Sequence, residues 1–308
     1  MGHPGGRRLM RADDWRGVMP AITTPFDETF AVDHAALGQH VEWLIGAGCT
    51  GIITLGSLGE APALTTLERV DIVRTCVRAA HGRVPVVAGV STYTTPDAVA
   101  LARDLAGAGA GGLMVLPPYV YRGDRRETRA HLSAVLEATP LSCMLYNNPI
   151  AYGTDITPDE IGELAASHAN LHAVKESSGD VRRVSGIQAL VGDRLRILAG
   201  MDDAIVESAG VGAVGWIAGL VNAFPAESVR LLELSLSGRR AEAAALYAWF
   251  LPLLRLDTVP KFVQHIKLVQ QEVGRGHERV RPPRLVLHGA ERDETLRLIR
   301  HAVATRPA

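Results

Sequence analysis

Short apolar runs, many of them rich in β-branched residues, alternate along this chain with longer stretches whose apolar positions recur every three to four residues. The first pattern suits strands buried on both faces, and the second suits helices with one buried stripe. Strands are predicted at 17–23, 51–55, 84–90, 112–116, 141–146, 171–175, 195–199 and 213–217. Helices are predicted near 33–46, 65–80, 96–106, 125–138, 158–167, 181–191, 202–209 and 222–236. Their start signals are explicit. Thr65-Thr66-Leu67-Glu68 fits a capping box, and Pro96 and Pro158 stand at first helical positions, where the missing N–H costs nothing.

Strict alternation of strand and helix argues for parallel strands. Eight such units over roughly 220–240 residues match the size of a (β/α)8 barrel better than a doubly wound open sheet. The expected fold is therefore α/β, a (β/α)8 TIM barrel over 1–238. Residues 239–308 form a C-terminal helical extension packed on the barrel, with helices near 239–256, 260–273 and 291–303. Arg281-Pro282-Pro283-Arg284 reads as a stiff connector within an extension that carries no separate function.

Composition narrows the function. The 308 residues are 47% hydrophobic and 21% charged, enough for a large core, and the formal charge of −1 favours neither nucleic acid nor an anionic membrane as partner. No apolar run is long enough to span a bilayer, and 1–11 lacks the apolar core of a signal peptide. Cys49, Cys76 and Cys143 make neither a metal-ligand spacing nor an even disulfide set. A soluble, cytoplasmic protein with a small-molecule ligand is expected.

The chemistry gathers at one rim. Barrel enzymes carry their active sites at the C-terminal ends of the strands. There the chain places Thr23-Thr24-Pro25, Gly56-Ser57-Leu58-Gly59-Glu60, Pro117-Pro118-Tyr119-Val120-Tyr121, Tyr146-Asn147-Asn148-Pro149, Lys175, Gly200-Met201-Asp202-Asp203 and Trp216. The opposite rim has helix C-caps such as Ala47-Gly48. Among 32 basic residues only Lys175, Lys261 and Lys267 are lysines, and only Lys175 ends a predicted buried strand. Guanidinium stays protonated, so an arginine cannot serve where a neutral amine is needed. Lys175 is thus a candidate imine-forming nucleophile, against the plain alternative of a core lysine paired with a carboxylate. An attacking amine must be unprotonated, and burial favours that form.

Tyr146, at the end of the adjacent strand, is a candidate proton shuttle, or else a structural tyrosine. The turn 56–59 offers backbone N–H groups to a carboxylate, and Ser57 is placed to pass a proton to Tyr146. Thr24, Gly56, Leu58, Gly59, Asn147, Gly200, Asp202 and Trp216 are expected to bind substrate, with Asn147, Asp202 and Trp216 lining its distal half. Gly107-Ala108-Gly109-Ala110-Gly111-Gly112 matches G-x-G-x-x-G but precedes a strand, which excludes the dinucleotide reading. His168 and His172 fall on different elements and make no metal pair. No metal site and no bound cofactor are expected.

Taken together, G-S-L-G-E at 56–60, Y-N-N-P at 146–149 and V-K-E-S-S-G-D at 174–180 resemble the dihydrodipicolinate synthase / N-acetylneuraminate lyase family of Schiff-base barrel enzymes, from about Gly17 to the last helix. The resemblance implies that Lys175 forms an imine with pyruvate or a related 2-oxo acid. It makes Tyr146 the proton-transferring phenol, Ser57 the relay hydroxyl, and the N–H groups of Ser57 and Leu58 the carboxylate holder. It also implies a homotetramer built from tight dimers, with a tyrosine after strand four reaching into the neighbour's site.

Three positions depart from that pattern. Leu58 replaces a second hydroxyl residue. Val120 aligns with the intersubunit tyrosine, which leaves either Tyr119 or Tyr121 as the substitute or an incomplete relay. Ala151 stands where dihydrodipicolinate synthases place an arginine for a second carboxylate. The Y-N-N-P and G-S-L-G-E motifs, with Asp180-Val181-Arg182-Arg183 and the stretch from Leu256-Asp257 to Lys267, look most like 1-pyrroline-4-hydroxy-2-carboxylate deaminases. The alternatives are a pyruvate-dependent aldolase of 4-hydroxy-2-oxo or 2-keto-3-deoxy sugar acids, dihydrodipicolinate synthase itself, and a silent metabolite-binding regulator. A pyridoxal-phosphate enzyme would need a phosphate cup that the sequence does not offer.

Overall fold

The computed structural model describes residues 7–307. Eight parallel strands, β1 (Gly17–Pro20), β2 (Ile52–Thr54), β3 (Val86–Val90), β4 (Gly112–Val115), β5 (Ser142–Asn147), β6 (Leu171–Glu176), β7 (Arg196–Ala199) and β8 (Gly215–Ala218), run in the order β1-β8-β7-β6-β5-β4-β3-β2. An isolated bridge between Ala21 and Ile53 closes the ring. That seam is thin for a chemical reason. The amides of Gly17 and Ala21 donate toward β8 and that of Ile22 toward β2. By alternation the amide of residue 20 belongs to the β2 side, and Pro20 has no N–H to give.

Around the ring lie α1 (His34–Gly46), α2 (Thr66–Ala80), α3 (Thr95–Gly107), α4 (Arg125–Glu137), the single turn α5 (Pro149–Tyr152), α6 (Pro158–Ser167), α7 (Arg182–Val191), α8 (Ile205–Gly210) and α9 (Pro225–Leu236). The extension adds α10 (Arg240–Leu254), α11 (Phe262–Glu272) and α12 (Gly289–Ala304). The fold is a (β/α)8 TIM barrel with added C-terminal helices, as the periodicity predicts. The capping box at Thr65 and Glu68 is formed in both directions. The helix expected from 222 begins instead at Pro225, where proline suits the first turn.

One irregularity fixes the chemistry. In the β5–β6 ladder Cys143 opposes Leu171, yet Met144 opposes Ala173, so His172 is an extra residue. Such a bulge flips the facing of everything downstream. Unbulged, the same ladder would set Lys175 beside Asn147; with the bulge Lys175 opposes Tyr146, and both side chains turn into the barrel. The bulge is held by His172 Nδ1 and Ser142 Oγ at 2.7 Å, and Ser142 Oγ also accepts from Trp15 Nε1 at 2.8 Å.

The three cysteines are buried and free, and burial raises each thiol well above its ordinary pKa. Among the described residues no helix is long and apolar enough to cross a membrane.

Candidate active site

A cavity of about 440 Å³ opens at the C-terminal rim of the barrel, within the size range of small-molecule sites. Its wall includes Lys175, Tyr146, Ser57, Leu58 and Tyr152, and the extension contributes Asp257, Thr258, Val259, Pro260, Phe262 and Arg284. The extension is therefore part of the site, which its reading as a helical appendage did not anticipate.

Lys175 is 6% exposed, and its Nζ stands 4.1 Å from the centre of the Tyr146 ring. Among the described residues Nζ has no hydrogen-bonding or carboxylate partner, so the plain reading of a paired core lysine does not describe it. Gly200 makes its room. A Cβ there would fall 1.9 Å from Ser177 Oγ and 2.8 Å from Lys175 Cε.

The turn after β2 starts with Leu55 in a left-handed backbone (φ 59°) and ends with Glu60 in another (φ 55°). Non-glycine residues held there store strain, which commonly marks a functional turn. Between them the N–H groups of Ser57 and Leu58 donate to no acceptor among the described residues. Thr24 Oγ1 braces the turn by donating to Gly59 O at 2.7 Å.

The hydroxyls are wired differently from the sequence expectation. Ser57 Oγ is bonded to the Tyr152 hydroxyl, not to Tyr146. The Tyr146 hydroxyl accepts from Asn148 Nδ2 at 3.0 Å. Tyr152 meets the Tyr146 ring edge-on at 5.7 Å between centroids, and Tyr119 lies 6.0 Å beyond Tyr152. Burial, then the neighbouring Tyr146, push the Tyr152 phenol well above the usual tyrosine value. Sequence reasoning missed Tyr152. The signal was Asn148, which caps the one-turn α5 by accepting from Ala151 N and so folds Tyr152 back over the strand end.

Tyr119 lines the cavity. Tyr121 does not: it is exposed, and its hydroxyl donates to Glu127 at 3.1 Å. Val120 is exposed with φ 73°, a rare backbone for a β-branched residue.

Gly56, Leu58 and Gly200 line the cavity; Thr24, Gly59, Asn147, Asp202 and Trp216 do not. Thr24 and Gly59 spend their polar groups on each other. Asn147 follows an inward Tyr146, so alternation points it out, where it donates to Glu176 Oε2 at 3.1 Å and accepts from Ile156 N at 3.0 Å. Trp216 likewise precedes the inward Ile217 and donates to Asp202 Oδ1 at 2.9 Å. Asp202 also accepts from the amides of Gly219 and Leu220, so it shapes the β8 turn behind the wall. Burial raises its carboxyl to about 6. Among the described residues no group of three or more His, Cys, Asp or Glu is placed to hold a metal.

Residues 14–302 match the sequence model of the Dihydrodipicolinate synthetase family. A 4-hydroxy-tetrahydrodipicolinate synthase of Agrobacterium fabrum is 33% identical over 269 residues, 87% of this chain and 92% of that one. One from Sorangium cellulosum is 33% identical over 293 residues, covering 95% and 97%. Among solved structures, dihydrodipicolinate synthase from Aquifex aeolicus superposes with a TM-score of 0.89 at 26% identity, covering 93% and 98% of the two chains. A prophage protein of the dihydrodipicolinic acid synthase family from E. coli, solved in complex with pyruvate, gives 0.88 at 27% identity, covering 94% and 99%.

Proposed function

The chain belongs to the dihydrodipicolinate synthetase family, whose members are lysine Schiff-base lyases working without a metal, and from that premise we propose that it deaminates 1-pyrroline-4-hydroxy-2-carboxylate to 2,5-dioxopentanoate. The observation that carries this over the relatives' synthase activity is Ala151. It stands in the cavity wall between Ile150 and Tyr152, where the family's synthases have an arginine for a second carboxylate. A methyl group cannot replace a bidentate clamp. The proposed substrate has one carboxylate only.

In this reading the unpaired amides of Ser57 and Leu58 hold that carboxylate. Lys175 adds to C2, and the ring nitrogen leaves as a free amine on C5. Tyr146, against Nζ, moves protons between the nitrogen atoms and C3. Tyr152 and Ser57 carry protons between Tyr146 and the cavity mouth, so that the hydroxyl lost at Val120 is replaced from within the same chain. Loss of the 4-hydroxyl and hydrolysis of the C5 imine release ammonia and the product. The overall change adds one water and needs no oxidant. The same reading includes a cytoplasmic enzyme assembled as a dimer of dimers.

The test is a substrate comparison with purified protein. Ammonia release from the hydroxypyrroline, with no condensation of pyruvate with aspartate semialdehyde and no aldol cleavage of 4-hydroxy-2-oxo acids, is the expected result. Aldol cleavage without ammonia release would rule the reading out.

A further inference from the structure

One carboxyl group in the cavity takes no part in the proton path above. Asp257 lies in the turn between α10 and α11 and lines the cavity together with Lys175. Its Oδ1 is sealed from solvent and has no hydrogen-bond partner among the described residues. Its seat depends on Gly219, where a Cβ would fall 2.0 Å from Oδ1. The amide of that same glycine is held by Asp202, at 3.1 Å to Oδ2. Two acids thus approach one stretch of backbone. Asp202 is satisfied by three N–H donors, whereas Asp257 is left without one.

An ionised carboxylate in such a seat is costly, and neutralisation relieves it. Burial pushes Asp257 well above the ordinary carboxylate range, Asp202 and Asp203 push in the same direction, and Lys175 opposes them. Arg284 also lines the cavity but lies 3.8 Å from Glu60, its carboxylate partner. An acid kept neutral in an apolar site can donate a proton, as buried catalytic carboxyls do elsewhere.

We propose that Asp257 is the general acid that protonates the hydroxyl leaving C4 of the lysine-bound substrate. This rests on the lyase reading above and adds the group that the elimination needs. Removal of a C3 proton makes the C2=C3 enamine. Its electron pair then forms C3=C4 as the C4–O bond breaks. The oxygen leaves with the bonding pair, takes the Asp257 proton and departs as water. The imine to Lys175 is restored and Asp257 remains as carboxylate. It regains a proton from C5 as C3=C4 shifts to C4=C5 and C3 takes back a proton from Tyr146; protonation of C4 then gives the C5 imine, which water hydrolyses to release ammonia.

The experiment uses full-length protein, D257N and D257E. Each is incubated with pyruvate and borohydride, and each is assayed with 1-pyrroline-4-hydroxy-2-carboxylate across pH. D257N should trap pyruvate at residue 175 to the wild-type extent. Its kcat should fall by about 100-fold or more with KM within about threefold, in the range for loss of one general acid. The wild-type alkaline limb should vanish in D257N, and D257E should regain part of the rate. A D257N enzyme with kcat within about threefold of wild type, or with its alkaline limb intact, overturns the assignment. So does loss of pyruvate trapping in both variants, because Asp257 would then serve imine formation. A wild type that traps pyruvate but leaves the hydroxypyrroline untouched overturns the substrate reading as well. An active wild type matched by D257N overturns only the role of Asp257.

Discussion

The hydroxyl of Ser57 is bonded to the phenol of Tyr152 on the same chain, at the end of a single helical turn that begins three residues after Tyr146. Under the proposed mechanism this bond makes Tyr152 the partner of Tyr146 in a proton path within one chain. Y152F should lower kcat by about 100-fold, the scale of a lost proton-transfer group. S57A should do the same, and the double variant should be little worse than either, because residues acting as a unit are not additive. Steady-state rates of the three variants check this. Independent, multiplying losses would show that the two hydroxyls do not form one path.

Lys175 stands over the Tyr146 ring, and among the described residues no carboxylate lies within ion-pair distance of its Nζ. Pyruvate and borohydride should therefore add one covalent reduced adduct to the wild type, mapped to the peptide holding residue 175. K175R should take up none, since guanidinium does not become a neutral nucleophile. Intact-mass spectrometry decides it. An adduct on Lys261 or Lys267 instead would remove the basis of the proposed chemistry.

Alternation of buried strands with striped helices was enough to read the barrel, because short uninterrupted apolar runs and stripes of period 3.6 differ locally and need no long-range information. The parity of side chains at the strand ends was not legible. Asn147 and Trp216 look like site residues beside Tyr146 and Ile217, but they face outward; the His172 bulge, which sets Lys175 opposite Tyr146, has no sequence signature of its own. The places of Tyr152 and Asp257 in the cavity wall were not legible for another reason. Each reaches the cavity through a loop whose path is set by contacts with distant elements: Ser57 for the first, Gly219 for the second.

Gly200 tests how closely the lysine is seated. The Cβ of G200A would meet Ser177 Oγ at 1.9 Å and Lys175 Cε at 2.8 Å, so the lysine must move. A displacement near 1 Å at a reacting group costs about 100-fold in rate. G200A should fold, by circular dichroism, and should show that loss in kcat, with slower pyruvate trapping. An unchanged trapping rate would mean that the lysine tolerates a shifted seat.

Glu68 ties α2 to the extension. It closes the capping box with Thr65 and accepts from Arg281 at 2.8 Å. The Arg281 hydrogen bond, more than any other partner, brings its pKa from 4.5 down to about 2. A depressed folded-state value means that the stabilisation is complete above the unfolded value of 4.5 and is lost as pH falls toward 2. E68Q should be less stable than wild type by about 1–2 kcal/mol at pH 7, the scale of a charge-assisted hydrogen bond. The difference should shrink through that acid window. Denaturant unfolding at several pH values measures it, and a gap that stays constant to pH 2 would contradict the ion pair.

Lys267 and Glu60 form a buried pair, 2.6 Å apart and 2% and 0% exposed, with the ammonium 4.5 Å from the centre of the Phe26 ring. The pair joins α11 to the turn that presents Ser57 and Leu58. Glu60 also accepts from the Arg281 amide at 3.0 Å, so it is held from two sides of the extension. Removing Lys267 leaves the buried Glu60 with only the more distant Arg284, at 3.8 Å, as counter-charge, a loss approaching the roughly 3–5 kcal/mol of a stranded buried charge, whereas replacing both by neutral groups is far milder. K267M alone should therefore unfold at markedly lower denaturant, and E60Q/K267M should recover much of the loss. The same pair shapes the site from a distance, so the single variant should also raise KM, because the Ser57–Leu58 amides that hold the carboxylate lose their anchor. If the double variant were as unstable as K267M, the penalty would come from lost packing around Phe26 and not from the stranded carboxylate.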